Sequence, residues 1–109
     1  MAESYKILGT SAPGATTNTD LYTVPSSTSA VVSTISVCNR SASATTYRIA
    51  TRPGGAAVSN NHYVTYDVEI SANNTHTLSL GITLATTDVV TVYSDSADLT
   101  FIAYGTEIT

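Results

Sequence analysis

Charged side chains, cysteine and tryptophan are all scarce in this sequence of 109 residues. Charged residues make up 11% of the chain, whereas an average soluble domain has about 25%. Four Lys and Arg residues and a net charge of −4 leave no cluster of cations of the kind that holds nucleic acid or an anionic membrane surface. The lone cysteine, Cys38, excludes an internal disulfide and a cysteine-built metal site. We therefore expect neither nucleic acid nor a membrane among the partners.

Long apolar runs are missing as well. No stretch of the sequence approaches the roughly 20 apolar residues that cross a bilayer. The first residues, MAESYKILG, have neither the basic start nor the apolar core of a secretory signal peptide. We therefore expect the protein to be made and kept in a cytoplasm until it is assembled elsewhere.

What the sequence has instead is alternation of apolar and polar residues, most clearly between residues 20 and 52. This stretch predicts three strands, at 20–24, 30–39 and 45–52, because side chains of a strand point to opposite faces with period two. In the third strand Tyr47 and Ile49 point one way, whereas the other face carries Arg48, Ala50 and Arg52. In the second strand one face is expected to carry Val31, Ser33, Ile35 and Val37. One buried and one solvated face is typical of antiparallel sheets.

The rest of the chain continues the pattern, with predicted strands at 4–9, 62–70, 75–80, 89–93 and 99–104. Residues 81–88 are predicted as a loop with Ile82 and Leu84 buried. Tyr47, Tyr66 and Tyr93 are expected to face inward. About eight strands, separated by Pro, Gly, Asn and Ser turns, predict an all-β fold. We expect a single domain over 1–109, an antiparallel β-sandwich that is jelly-roll-like, with an immunoglobulin-like sandwich as the alternative.

Residues 1–19 are a candidate N-terminal arm and loop. A short strand is followed by a stretch of about ten residues that contains the turn pair Pro13-Gly14 and no charge. Long loops in small domains are often functional, so this segment is a candidate for docking on a neighbouring molecule. The alternative is an ordinary connection across one end of the sandwich.

Candidate catalytic and metal-binding residues do not group into a recognisable site. His62 and His76 fall on neighbouring strands, but a zinc site needs further ligands. Asp67 and Glu69 share a predicted strand face, for which a solvated surface is the simpler interpretation. We therefore expect no enzyme, and no catalytic, cofactor-binding or metal-binding residues. A carbohydrate-binding module remains an alternative, although Tyr63 is the one aromatic residue with polar neighbours beside a loop.

Three segments carry a resemblance to a known group of proteins: LYTVP at 21–25, CNRS at 38–41 and ATTYRIA at 44–50. Together they resemble small β-structured virion proteins of tailed bacteriophages, and most closely the capsid decoration (cement) proteins of cyanophages. Similar LYTVP openings occur in phage tail and baseplate proteins. A tail, baseplate or fibre component is therefore the main alternative within the same class.

The resemblance implies a non-enzymatic virion protein on the capsid surface, assembled in the cytoplasm of the host bacterium. Its implied partners are the major capsid protein and further copies of itself, as a homotrimer. It would stabilise the shell by binding across neighbouring capsid subunits, because a ligand of the assembled state shifts the equilibrium toward that state. The candidate interface residues are Tyr5, Ile7 and Leu8 in the arm, and Val58, His62 and Tyr63 in and beside the 53–63 loop.

Overall fold

A computed structural model describes residues 2–109, which form two packed antiparallel sheets. The strands are β1 (Glu3–Ser11), β2 (Thr19–Thr23), β3 (Ser29–Asn39), β4 (Thr45–Arg52), β5 (Tyr63–Ile70), β6 (Thr75–Leu78), β7 (Ile82–Leu84), β8 (Val89–Ser94) and β9 (Leu99–Ile108). Two single turns of 3₁₀ helix, Pro53–Gly55 and Asn60–His62, interrupt the connection between β4 and β5. The all-β prediction is confirmed.

The strand order is that of a jelly roll. The first sheet runs β1-β9-β3-β6, with β7 also paired to β3, and the second runs β2-β8-β4-β5. β6 pairs with residues 35–38 of β3 and β7 with residues 30–32, so the two short strands share one edge position. Counted in this way, eight strands form two four-stranded sheets. The immunoglobulin-like alternative is wrong, because it would place the first two strands in one sheet, and here they lie in different sheets.

The predicted strands are present with small shifts at their ends, and residues 81–88 are the one segment assigned to the wrong class. These residues were expected to form a loop, but Ile82–Leu84 pairs with β3 as a strand. The side chain of Leu84 is buried, as the sequence predicts, whereas that of Ile82 is half-buried and packs against the core. A three-residue strand is too short for its alternation to be distinguished from a loop with two buried residues.

The core lies between the two sheets and is built from inward-facing side chains of both. Tyr47 is 1% exposed, and its ring packs edge-to-face on Phe101 at 6.0 Å between ring centres. The largest fully buried apolar side chains around them are Val24, Val32, Ile35, Val37, Ile49, Ile70, Val90, Val92 and Leu99. Eight of these nine are β-branched valines and isoleucines that pack well on a pleated surface, which accounts for the strand propensity of the chain.

Two β-bulges displace side chains from their predicted faces. In β3 the register passes from Val32↔Gly105 to Thr34↔Tyr104, so Ser33 is an extra residue. As a result Val32 is buried and Ser33 is exposed, and the expected single face is broken at this point. Because a bulge places two residues opposite one, it reverses the phase of the alternation beyond it.

The second bulge lies in β5, where Asp67 has a positive φ of 50°. Val68 is half-buried and Ile70 is buried. Tyr66, which was expected to face inward, is instead 55% exposed, so that prediction is wrong. Aspartate tolerates the left-handed conformation better than most residues, which suits it to this position.

The candidate N-terminal arm forms an edge strand of the sandwich. β1 pairs with β9 from Glu3↔Ile108 to Ser11↔Phe101, and Leu8 packs against the core. The strand runs two residues beyond the predicted one, and the loop before β2 is correspondingly shorter. A Cβ atom on Gly9 would lie 2.0 Å from the carbonyl oxygen of Leu21, so the backbones of β1 and β2 approach each other too closely for any side chain here.

Candidate functional site

The six candidate interface residues fall on two separate surfaces. β1 is an edge strand of the first sheet and packs beside β2, which is an edge strand of the second. The other three residues lie in the β4–β5 connection and at the start of β5, which is the opposite edge of the second sheet. The structure therefore does not bring the two groups together, and each surface has to be considered separately.

The first surface, here called the β1 patch, consists of Tyr5, Ile7 and Tyr104 on the outer face of the first sheet. Tyr5 is 78% exposed, Ile7 57% and Tyr104 38%. Ile7 is directly opposite Tyr104 in the β1–β9 register, so the two side chains share one face. The hydroxyl of Tyr5 donates a hydrogen bond to Glu3 over 2.8 Å, which raises the pKa of the Tyr5 phenol.

The opposite side of β1 is attached to the rest of the domain. Lys6 forms an ion pair with Glu107 of β9, and the hydroxyl of Tyr22 donates a hydrogen bond to the same carboxylate over 2.6 Å. These two donors hold the pKa of Glu107 below its usual value. Burial, together with the bond to Glu107, raises the pKa of Tyr22. Leu8 faces the core, so of the three candidates in this segment only Tyr5 and Ile7 are available to a partner.

The second surface, here called the tyrosine–arginine cluster, consists of Arg48, Tyr63, Tyr66, Asp67 and Tyr93 on the outer face of the second sheet. The guanidinium carbon of Arg48 lies 4.2 Å from the ring centre of Tyr66 and 4.5 Å from that of Tyr93. Nε of Arg48 donates to Oδ1 of Asp67 over 2.7 Å. The rings of Tyr63 and Tyr66 meet edge-to-face, 4.8 Å apart and at 81°. The guanidinium group thus contacts two aromatic rings, and both carboxylate oxygens of Asp67 accept hydrogen bonds from it.

The strand register explains why these side chains meet. Arg48 is opposite Tyr93 in the β4–β8 pairing. On its other side the register passes from Tyr47↔Val68 to Ile49↔Thr65, so Tyr66 and Asp67 together face Arg48. The bulge at Asp67 therefore delivers both a ring and a carboxylate to the same guanidinium. The hydrogen bond from Arg48 to Asp67 raises the pKa of the guanidinium, which stays charged.

Tyr63 and Tyr66 line a shallow concavity of about 360 Å³ together with Asn60. Tyr63 is opposite Ala50 in the register, and Ala50 is 2% exposed although it lies on the outer face. A side chain directly across an antiparallel pair shares the face of its partner, so Tyr63 lies on the same face as Ala50. Tyr63 is half-buried, whereas Tyr66 and Asn60 are exposed at the rim.

The segment that supports this concavity is held in place by local hydrogen bonds. The backbone N–H of Ser59 donates to Nδ1 of His62 over 3.2 Å, which closes a capping box around the second 3₁₀ turn. Nη1 of Arg52 donates to the carbonyl oxygens of Gly55 and Ala56, at 3.1 and 2.9 Å. Arg52 also pairs with Asp20 of β2 over 2.7 Å, which ties the segment to the sheet. His62 thus positions the backbone, and Val58 is half-buried.

The remaining titratable candidates are used within the fold. Nδ1 of His76 lies 2.9 Å from the hydroxyl of buried Tyr47, and burial raises the pKa of that phenol. Cys38 is a half-buried thiol within β3. In residues 2–109 no three His, Cys, Asp or Glu side chains gather closely enough to hold a metal ion. Over the same residues no helix has the length and apolar character needed to cross a bilayer.

Comparisons with protein-family models, with curated proteins and with solved structures find no match to this chain. Sequence reasoning selected Tyr63 but missed Arg48 and Tyr66. The prediction that Tyr93 faces inward is also wrong, because its neighbours Val92 and Ser94 take the buried face of β8 and Tyr93 lies beside Arg48 on the outer face. An aspartate in the middle of a predicted strand was the available sign of a bulge, and a bulge there would have turned Tyr66 outward.

Proposed function

We propose that this protein is a non-enzymatic structural protein of a tailed-bacteriophage virion, and more specifically a capsid decoration protein. In this proposal it binds the major capsid protein across neighbouring subunits on the outside of the shell, as a homotrimer, after synthesis in the host cytoplasm. The resemblance in residues 21–50 suggests the class of protein. A tail, baseplate or fibre component is the alternative that the same resemblance allows.

The observation that carries the proposal is the β1 patch. Tyr5 and Ile7 expose large apolar side chains on an edge strand, beside Tyr104. Contiguous exposed aromatic and aliphatic side chains are typical of protein contact surfaces, where they supply most of the binding free energy. The scarcity of charge in the chain suits the same role, because few ionised groups would have to be desolvated on contact.

The test is addition of the purified protein to capsids that lack it, followed by sedimentation and by a thermal melt of the particles. We expect the protein to sediment with capsids and to raise their melting temperature. Ile7→Glu should abolish both effects, because it places a charge in the patch. Leu80→Glu is the matched control, since Leu80 is 42% exposed outside the patch, between β6 and β7.

Each result has a defined meaning once both variants are shown by circular dichroism to be folded. Sedimentation with purified tails but not with capsids would replace the decoration proposal with the tail alternative. Binding to neither particle would contradict the virion proposal as a whole. Binding to capsids that Ile7→Glu leaves unchanged would mean that the β1 patch is not the contact surface.

A further inference from the structure

We propose that the tyrosine–arginine cluster, together with Asn60, is a binding site for a neutral saccharide. This inference goes beyond the proposed function and does not depend on it. The site is the concavity between Tyr63 and Tyr66 on the outer face of the second sheet, at the opposite edge from the β1 patch. Its volume of about 360 Å³ is at the lower end of the range for small-molecule sites, which suits one sugar ring with part of a second.

The charge of the cluster indicates a neutral ligand. The one cation, Arg48, is paired with Asp67 through two contacts of 2.7 and 3.4 Å and is enclosed by the rings of Tyr66 and Tyr93. An anionic ligand would have to displace this carboxylate. A nucleic acid would need several free cations, and the whole chain has four Lys and Arg residues. The geometry therefore disfavours phosphates and acidic sugars.

The chemistry of the lining fits a sugar. A pyranose presents a C–H face, which packs against an aromatic ring, and hydroxyl groups around its edge, which need hydrogen-bond partners. Tyr63 and Tyr66 supply two rings at 81° to each other, and Asn60 supplies an amide with both donors and an acceptor. Tyrosine hydroxyls add further polar contacts at the rim.

The rings are also fixed before a ligand arrives. Tyr66 is held by the cation–π contact with Arg48 and by the bulge at Asp67. Tyr63 is opposite Ala50 in the register, and its ring packs edge-to-face against Tyr66. A site whose side chains are already ordered loses little conformational entropy on binding, which matters for weak ligands such as saccharides. Within residues 2–109 the other described concavity has no aromatic lining, and the exposed rings of the β1 patch, Tyr5 and Tyr104, lie on a sheet face.

The experiment is a titration of the isotopically labelled, full-length protein, followed by amide chemical shifts in NMR. The probes are four neutral tetrasaccharides, of α-glucose, β-glucose, mannose and galactose units, each up to 10 mM, and one acidic tetrasaccharide of galacturonate. We expect at least one neutral probe to bind, with shift changes confined to residues 60–67 and to Arg48 and Tyr93.

Variants then separate the contribution of the ring from that of the fold. Tyr66→Ala should weaken binding at least about tenfold, as for the loss of an aromatic anchor, whereas Tyr66→Phe should keep most of it. Asn60→Ala should also weaken saccharide binding. Because Asn60 lies in an exposed turn, this loss cannot be attributed to unfolding of the sheet. Leu80→Ala, which removes an exposed apolar side chain elsewhere, should bind as the original protein does.

The following results would overturn the inference. They are the absence of shift changes with every neutral probe at 10 mM, binding only of the galacturonate probe, or binding that Tyr66→Ala leaves unchanged. A loss of capsid attachment in Tyr66→Ala without any saccharide binding would also overturn it, and would make the cluster a protein contact. Failure of capsid binding by the original protein leaves the saccharide result intact, so the two proposals fail independently.

Discussion

Gly105 occupies the point at which β9 comes closest to β3. A Cβ atom at this position would lie 1.9 Å from the carbonyl oxygen of Val31 and 3.0 Å from a methyl group of Leu8. Val31 is paired with β7 on one side and with β9 on the other, so its carbonyl group has little room to move. The glycine is thus required by the close approach of two strands rather than by an unusual φ.

We expect Gly105→Ala to destabilise the domain by about 1–3 kcal/mol, the usual cost of forcing extra atoms into a packed site. Thermal unfolding measures this, since about 1 kcal/mol shifts the midpoint of a domain of this size by roughly 4–8 °C. Gly14→Ala is the matched control, because its nearest neighbour would be Oγ1 of Thr17 at 3.9 Å and its φ is not positive. An equal effect of the two variants would contradict the steric explanation.

Glu107 gives the stability of the domain an acid dependence. Its pKa is lowered in the folded state by Lys6 and Tyr22, so the folded state binds a proton less readily than the unfolded chain. The stabilisation is therefore fully present above the unfolded-state pKa of about 4.3 and is lost as the pH falls through the lower folded-state pKa. Melting temperatures of the original protein and of Glu107→Gln should differ most near pH 7 and converge toward pH 3. A constant difference across this range would show that the carboxylate charge is not responsible.

At the scale of the element, β1 is where the structure changes the expectation most. As a detached arm, residues 1–9 would matter for assembly and little for folding. Residues 3–9 instead belong to a strand that pairs with β9 and is anchored by Leu8 in the core and by Lys6 on Glu107, so they contribute to folding directly. We therefore expect deletion of residues 1–9 to lower the thermal midpoint by more than about 10 °C.

The control for this deletion is the double variant Tyr5→Ser and Ile7→Ser. It removes the exposed side chains of the β1 patch but keeps the backbone pairing, so it should lower the midpoint only slightly. A deletion that melts like the original protein would restore the interpretation of this segment as an arm.

The strands also show how far alternation alone could predict the fold and the site. Period-two patterns place Tyr47 and Ile49 correctly, because β4 is buried on one face and the alternation between its two faces is not interrupted at these residues. The same reasoning fails for Tyr66, because the bulge at Asp67 changes the parity within β5. A bulge is selected by how β4 and β5 pair, and pairing is a long-range property that a single strand's pattern does not contain. For this reason Tyr63 was selected as a surface residue, while its ring partner was assigned to the core.

At the scale of the whole molecule, the two surfaces lie at opposite edges of the sandwich, which bears on how copies of the chain associate. A cyclic trimer is built from heterologous contacts, so each protomer uses two different surfaces. We propose that the β1 patch is one of them, because Tyr5 and Ile7 are highly exposed large apolar side chains on an edge strand. Association through a patch of this kind depends on concentration, because it competes with the translational entropy of free monomers.

We therefore expect light scattering over a dilution series to give a mass three times that of the 11.3 kDa chain at high concentration. Ile7→Glu should shift the whole series to the monomer mass, because one charged surface breaks every contact of a closed ring. Tyr66→Ala should leave the mass unchanged if the tyrosine–arginine cluster is free to take a saccharide. A trimer that survives Ile7→Glu but dissociates with Tyr66→Ala would show that the tyrosine–arginine cluster, and not the β1 patch, forms the contact between protomers. A monomer at every concentration would contradict the proposed homotrimer.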